Sequence, residues 1–301
     1  MDDEARRQLL YQGHLFVYSK TPATADLIEL GRSMLEAAFA PHDPQAVHRY
    51  RSAEEVAAIL AVMKPRFIHH PECKVLVRRI LEERGLDPAR VYFDLPRMRS
   101  AYPADFLTSG IAYAFHPHRD TWYSAPPTQI NWWIPVFDVE SDNAMGFFPR
   151  YFSEGVVNSS AGYNYYTWNK EHRGNAAQHV RSDTRVQPRA QEDIQRVTMR
   201  VLPPPGGLIL FSGAQLHETV PNTTGIARYS IDFRTVHLDD VVAGRGAPNV
   251  DSRSGGTTMR DYLRASDLEH IPEDVVARYD DGTERDAGIL YFGDRLLRKD
   301  A

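Results

Sequence analysis

A single cysteine in 301 residues leaves this chain without an internal disulfide. Its fold must therefore rest on a buried core, and it would survive a reducing compartment. Cys73 itself reads as a small buried thiol and not as a nucleophile. No stretch approaches the ~18 consecutive apolar residues of a membrane span. The opening Met1-Asp2-Asp3-Glu4 is acidic where a secretion signal would be basic and then apolar, so a cytoplasmic location is expected. Neither sign of charge gathers in a block: 35 basic and 40 acidic residues give a formal net charge of −5. That balance lacks the basic footprint of a nucleic-acid binder. Internal repeats, a glycine-rich phosphate loop and a recognisable Ser-His-Asp arrangement are also missing. These absences leave a small-molecule substrate as the expected partner, with no nucleic acid and no membrane.

The residues that are present, 42% hydrophobic and 25% charged, suit a globular enzyme with a large core. One domain over 1–301 is expected, with a helical support region at 1–89, a β core at 90–236 and a C-terminal extension at 237–301. In the first part, Leu27, Leu30, Met34, Leu35 and Phe39 recur at helical spacing. Ser52 and Glu55 form a capping box ahead of Val56, Ile59, Leu60 and Met63, and a further helix after Pro71 stops at Gly85. From about Val91, short β-branched and aromatic segments broken by Pro, Gly, Asn and Asp predict strands near 90–98, 111–116, 128–137, 144–148, 196–202, 207–212 and 226–236. Strands packed so closely imply a mainly β barrel or jelly roll with helices on one face. Between them, the aperiodic stretch 152–195 carries Tyr163, Tyr165, Tyr166 and Trp168, and reads as an ordered insertion or lid. One helix is expected around Met259–Ala265, and no chemistry is visible beyond His237.

Chemistry concentrates at Phe115-His116-Pro117-His118-Arg119-Asp120. Residues i and i+2 of an extended segment point to one side, so His118 and Asp120 present an imidazole and a carboxylate together. A third ligand is available at His217, at the exit of the buried run Leu208-Ile209-Leu210-Phe211 that follows Gly206-Gly207. Two His and one carboxylate on one face of an octahedron leave positions for a bidentate keto acid and O₂, the coordination logic of non-haem Fe(II) oxygenases. Gripping the far carboxylate of such a co-substrate calls for a guanidinium. Arg228 lies on the next strand, and alternation sets Ser230 on the same face.

His118-x-Asp120, His217 and Arg228-x-Ser230, in that order, resemble the Fe(II)/2-oxoglutarate-dependent dioxygenases, most of all the phytanoyl-CoA dioxygenase-like branch. Trp133-Ile134-Pro135-Val136 and Asp142-Asn143 with Pro149 match that branch. Pro149-Arg150-Tyr151-Phe152 and Gly206-Gly207 differ from its usual Pro-Gly-Ser-His and Gly-Asp. The resemblance, covering roughly 111–236, implies a double-stranded β-helix (cupin-like jelly roll), Fe(II) on His118, Asp120 and His217, and 2-oxoglutarate on Arg228 and Ser230. It also implies hydroxylation of an unactivated C–H bond with release of succinate and CO₂; desaturation or cyclisation would share the early steps.

On the strand Thr128–Trp133, Gln129, Asn131 and Trp133 share a face that the resemblance turns inward, where one or more could bond the keto acid. His116 reads as structural or supporting, His69 and His70 as a solvated pair, and Tyr113 as core. Arg119 would face substrate or solvent. Arg97 and Arg99 require anionic partners if they lie inside the barrel. Arg150, His172, Arg173 and His179 suggest a polar or anionic substrate from specialised metabolism. Two alternatives stay open: another cupin-type metal enzyme, either an isomerase or a dioxygenase needing no keto acid, and a non-catalytic jelly-roll binding protein.

Overall fold

The computed structural model of the protein describes residues 1–172, 176, 178–185, 187–195 and 199–284. Its helices begin and end where local chemistry dictates. α1 (Asp3–Tyr11) starts at Asp2, whose carboxylate accepts from the Ala5 amide. After the short strand β1 (Phe16–Tyr18), α2 (Pro22–Phe39) opens on Pro22 and a capping box between Thr21 and Thr24. α3 (Ala53–Ile68) begins at the expected Ser52 and Glu55 box. α4 (Pro71–Glu83) is capped by the His70 ring, which accepts from the Glu72 amide, so His70 shapes a helix end. Beyond α4, Gly85 at φ +78° supplies the left-handed turn that stops it.

The remaining elements are β2 (Val91–Phe93), β3 (Arg97–Ala101), β4 (Ile130–Pro135), β5 (Met145–Phe147), α5 (Tyr165–His172), β6 (Met199–Val201), β7 (Leu208–Ser212), β8 (His217–Thr219), β9 (Arg228–His237), α6 (Leu238–Ala243), β10 (Leu263–Arg264) and α7 (Glu273–Val276). Every pair among the described strands is antiparallel. The larger sheet runs β1-β7-β4-β9-β2-β10, with β3 also on β9, and the smaller runs β6-β5-β8.

Strand alternation sorts the two faces of the larger sheet. Ile130, Trp132 and Ile134 of β4, Leu208 and Leu210 of β7, and Tyr229, Ile231 and Phe233 of β9 join the helices in the main core. Trp132 stacks on Phe233 at 5.3 Å between ring centroids. On the other face Trp133, Ile209 and Phe211 meet Met145 and Phe147 of the smaller sheet. Large side chains buried in this way contribute roughly 1.5–3 kcal/mol each relative to exposure, so helices, large sheet and small sheet form three layers fixed by their apolar contacts.

Two expected elements take a different form. The strand at 111–116 is a 3-10 turn, Gly110–Ala112, followed by irregular chain, because Gly110 sits at φ +58° and the Ala114 amide turns back to Thr108 O. The helix at Met259–Ala265 is one 3-10 turn, Met259–Asp261, followed by β10, because Leu263 pairs with Phe93 of β2. The expected strand 196–202 begins on residues outside those described, and β6 is its described part. Strands β1 and β8, three residues each, are too short to reveal an alternation. Cys73 is buried as expected, its thiol pointing to Phe67 O and pushed up to about 12 by burial. Among the described residues, no helix is long and apolar enough to cross a membrane.

Candidate metal centre and its cavity

His118 and His217 lie directly opposite one another in an antiparallel bridge, each amide donating to the other's carbonyl at 2.9 Å. Directly opposed residues share a face, and the two rings lie 4.3 Å apart. Each ring is fixed through Nδ1, which bonds a backbone carbonyl two residues earlier: His116 O at 2.8 Å and Gln215 O at 2.9 Å. A carbonyl only accepts, so Nδ1 donates in both rings and Nε2 is the nitrogen left to face the centre. His116 thus supports the site through its backbone.

Asp120 opens a 3-10 turn, Asp120–Tyr123, with its amide bonded to Gly213 O. Its Oδ1 lies 3.6 Å from His118 Nε2 and 3.9 Å from His217 Nε2. One donor atom from each of the three residues falls within 4.8 Å of the other two. Burial, followed by the neighbouring His118, pushes His217 down to about 4, which leaves a neutral imidazole at pH 7. Burial opposes ionisation of Asp120, but His118, His217 and Arg234 outweigh it and hold this carboxyl well below the usual range. Two imidazole nitrogens and one carboxylate oxygen converging in this way fit a divalent first-row metal.

The other oxygen of Asp120 is held by the protein. Oδ2 accepts from Gln129 Nε2 and Asn131 Nδ2, both at 2.7 Å. The second Gln129 proton goes to Asn131 Oδ1 at 2.8 Å, and Gln129 Oε1 accepts from the Tyr262 hydroxyl at 2.7 Å. Gln129 therefore has no donor left for a keto acid. Its place in this structure is to orient Asp120, whereas Asn131 lines the cavity. Tyr262 comes from the extension in which the sequence displayed no chemistry.

The centre opens into a cavity of about 370 Å³. One side is charged and nearly self-neutralised. Arg99 grips Asp232 through two bonds of 2.8 and 3.2 Å, while Arg97 and Arg234 share Asp94 at 2.6 and 3.2 Å. The arginine pair of β3 thus has the anionic partners an interior position demands. Arg228 differs. It is 3% exposed, lies 5.5 Å over the Trp133 ring and donates from Nη1 to Ser230 Oγ at 3.3 Å. Its Nε has no partner, and no carboxylate reaches ion-pair distance among the described residues. Burial pushes its guanidinium down to about 10, with Arg99 adding to the effect and Asp232 opposing it.

The opposite side belongs to the insertion. Tyr163, Tyr165, Trp168 and Asn169 line the cavity there, and Asn164 caps α5 by accepting from the amides of Tyr166 and Thr167.

Known structures offer distant likenesses. EvdO2 from Micromonospora carbonacea var. aurantiaca, complexed with 2-oxoglutarate, is 12% identical over 79% of this chain and 91% of its own, with a TM-score of 0.45. The epimerase SnoN, in complex with Fe3+, alpha ketoglutarate and nogalamycin RO, is 13% identical over 78% and 85%, with a TM-score of 0.39. A nickel complex of the non-heme monooxygenase ThoJ is 16% identical over 92% and 94%, with a TM-score of 0.38. No family model and no curated protein sequence matches the chain.

Several other expected residues lie elsewhere. Arg119 faces neither substrate nor solvent: it is 1% exposed and bonds Asp251, Ala214 O and Glu154 O, pinning the ligand segment. Arg150 is exposed and bonded to Glu154 and Gln195, and neither it, His172 nor His179 lines the cavity. Arg173 lies outside the described residues. Tyr113, expected in the core, lines the cavity. Arg234 and Asp232 had a readable signal, since Arg228, Ser230, Asp232 and Arg234 alternate along β9 as an all-polar face. Tyr262 and Asn169 had none.

Proposed function

We propose that this protein is an Fe(II)- and 2-oxoglutarate-dependent oxygenase that hydroxylates an unactivated C–H bond of a small polar molecule. Succinate and CO₂ are released; desaturation or cyclisation would use the same site. The observation that carries this reading is Arg228, a buried guanidinium without a carboxylate partner among the described residues, facing the same cavity as His118, Asp120 and His217. A buried cation in this state calls for an anionic ligand, and a keto diacid supplies one.

His118 Nε2, His217 Nε2 and Asp120 Oδ1 would hold the iron. When bound, iron with the keto acid and O₂ supplies the oxidising power for C–H cleavage. Arg228 and Ser230 grip the far carboxylate, and the Trp133 ring backs the guanidinium. Gln129 and Asn131 fix the angle of Asp120, and Tyr262 fixes Gln129. The surrounding aromatic walls keep water from the reacting groups. The motif order supports the phytanoyl-CoA dioxygenase-like branch, and two facing antiparallel sheets support a double-stranded β-helix core within one oxygenase domain.

Anaerobic addition of Fe(II) and 2-oxoglutarate to the purified protein tests the reading. A weak visible charge-transfer band, and succinate formation once air is admitted, are expected. Loss of both would favour a non-catalytic binding protein, whereas metal-dependent turnover without succinate would favour another cupin-type enzyme.

A further inference from the structure

The insertion side of the cavity carries polar groups that no described residue satisfies. Asn169 is 3% exposed, and neither Nδ2 nor Oδ1 of its amide has a partner among the described residues. The adjacent Trp168 Nε1 and the Thr258 hydroxyl are likewise buried without partners, and all three residues line the cavity. Buried polar atoms are nearly always paired, so three neighbouring exceptions on one wall point to a ligand that completes them.

Among the described residues this wall is neutral. Arg185, the cation that the described part of the insertion contributes to it, is already bonded to Asp183 by both Nε and Nη2. The wall is also aromatic, and its rings lead back to the metal ligands. Tyr123 lies 5.5 Å from the His118 ring, Tyr163 lies 5.5 Å from Tyr123, and Trp168 lies 6.4 Å from Tyr163. A molecule lying along these rings would present its near end to the metal and its far end to Asn169.

Resting on the oxygenase reading, we propose that the substrate is a neutral, saturated ring bearing adjacent hydroxyl groups, held by Asn169, Trp168 and Thr258 against the aromatic wall. A hydroxyl both donates and accepts, so neighbouring hydroxyls satisfy a carboxamide, an indole N–H and a threonine together. Ring C–H faces pack on Tyr and Trp, and sp³ carbons supply the bond to be oxidised. An anionic group would find no free cation among the described residues of this wall. A planar heteroaromatic amide could pair with Asn169 but offers no such C–H in its ring.

Saturation-transfer NMR on the metal-free protein tests this without calling on iron. Methyl α-glucopyranoside and myo-inositol are expected to bind in preference to cyclohexanecarboxylate and uracil. Asn169→Leu should raise their Kd at least tenfold, and Trp168→Phe, which keeps a ring and deletes the N–H, severalfold. Because Asn169→Leu removes only unpaired atoms from the apo protein, its Tm should be equal or higher. The proposal is overturned if cyclohexanecarboxylate or uracil binds as well as the hydroxylated rings, or if both variants keep wild-type Kd. The Fe(II)/2-oxoglutarate band should persist in Asn169→Leu. Its absence from the wild type, with binding of the hydroxylated rings intact, would sink the oxygenase reading alone.

Discussion

Replacing Arg228 by Met should make the apo protein slightly more stable while nearly abolishing its grip on 2-oxoglutarate. Burial has moved this guanidinium from its ordinary value down to about 10. At 1.36 kcal/mol per pKa unit this corresponds to a burial penalty on the order of 3 kcal/mol. The Ser230 hydrogen bond and the contact with Trp133 return roughly 1 kcal/mol each. Methionine fills a similar volume without that penalty, so a gain of about 1 kcal/mol is expected, a degree or two in Tm for a chain of this size. A two-pronged, charge-assisted grip on a carboxylate contributes about 3 kcal/mol, so its loss raises the Kd for 2-oxoglutarate about a hundredfold. At a concentration near 100 times the wild-type Kd, the ligand adds about 2.7 kcal/mol to the wild type and only ~0.4 kcal/mol to Arg228→Met. The order of thermal stability should therefore invert when the ligand is added. Arg228→Lys keeps the charge without the fork and should fall between. Thermal melts with and without the keto acid, and anaerobic titration of the charge-transfer band, supply both numbers. A variant that binds within threefold of wild type would refute the reasoning, and so would an apo variant destabilised by more than about 2 kcal/mol, which would mark Arg228 as structural.

Tyr262→Phe removes the hydroxyl that anchors Gln129 and should weaken Fe(II) binding about tenfold while leaving the 2-oxoglutarate Kd at saturating iron unchanged; a metal-competition assay giving wild-type affinity would contradict this. Lys64, buried and bonded to Ser100 Oγ and Ile111 O, is pushed down to about 7 chiefly by burial, secondarily by Arg99. Between that value and the ordinary lysine range the unfolded chain binds more protons than the folded one, so stability rises with pH, by roughly 2 kcal/mol from pH 7 to 9. Urea unfolding of Lys64→Met should lack that rise, and an identical slope in both proteins would remove Lys64 as its source. Gly110→Ala places a Cβ against the carbonyls of Ala176 and His179 at φ +58°, which should undock the insertion and hasten limited proteolysis within 152–195; an unchanged digest would show that the insertion is held elsewhere.

The metal ligands were legible because each sits beside a local landmark. His118 and Asp120 are two residues apart, and His217 follows a buried run announced by Gly206-Gly207. Caps were legible for the same reason: the Ser52 and Glu55 box is a contact between residues three apart. What sequence spacing could not carry was pairing across the chain. Nothing near Gln129 announces that Tyr262, 133 positions away, occupies its oxygen. The strand expected at 111–116 failed because its apolar residues pack as a turn beneath the insertion, with Ser109 Oγ donating to the carbonyls of both His179 and Val180.

The two long polar stretches, the insertion and the C-terminal extension, prove to be one unit. Tyr166 donates to Asp280, Asn164 to Asp281 and Thr283, and Arg260 pairs with both Asp280 and Glu273. Tyr165 is bonded to Asp261. The same extension supplies Thr258 to the cavity wall and Tyr262 to the support of Asp120. Because Thr258 and Tyr262 flank a single 3-10 turn, a shift of that turn would alter the substrate wall and the carboxylate ligand together. On the sheet side Arg97, Arg99 and Arg234 are paired with Asp94, just after β2, and Asp232 of β9, and Arg234 also helps hold Asp120 ionised. Substitutions in the extension should therefore change metal affinity and substrate choice in concert, while replacement of Arg228 itself, bonded to Ser230 and stacked on Trp133, should change co-substrate binding alone.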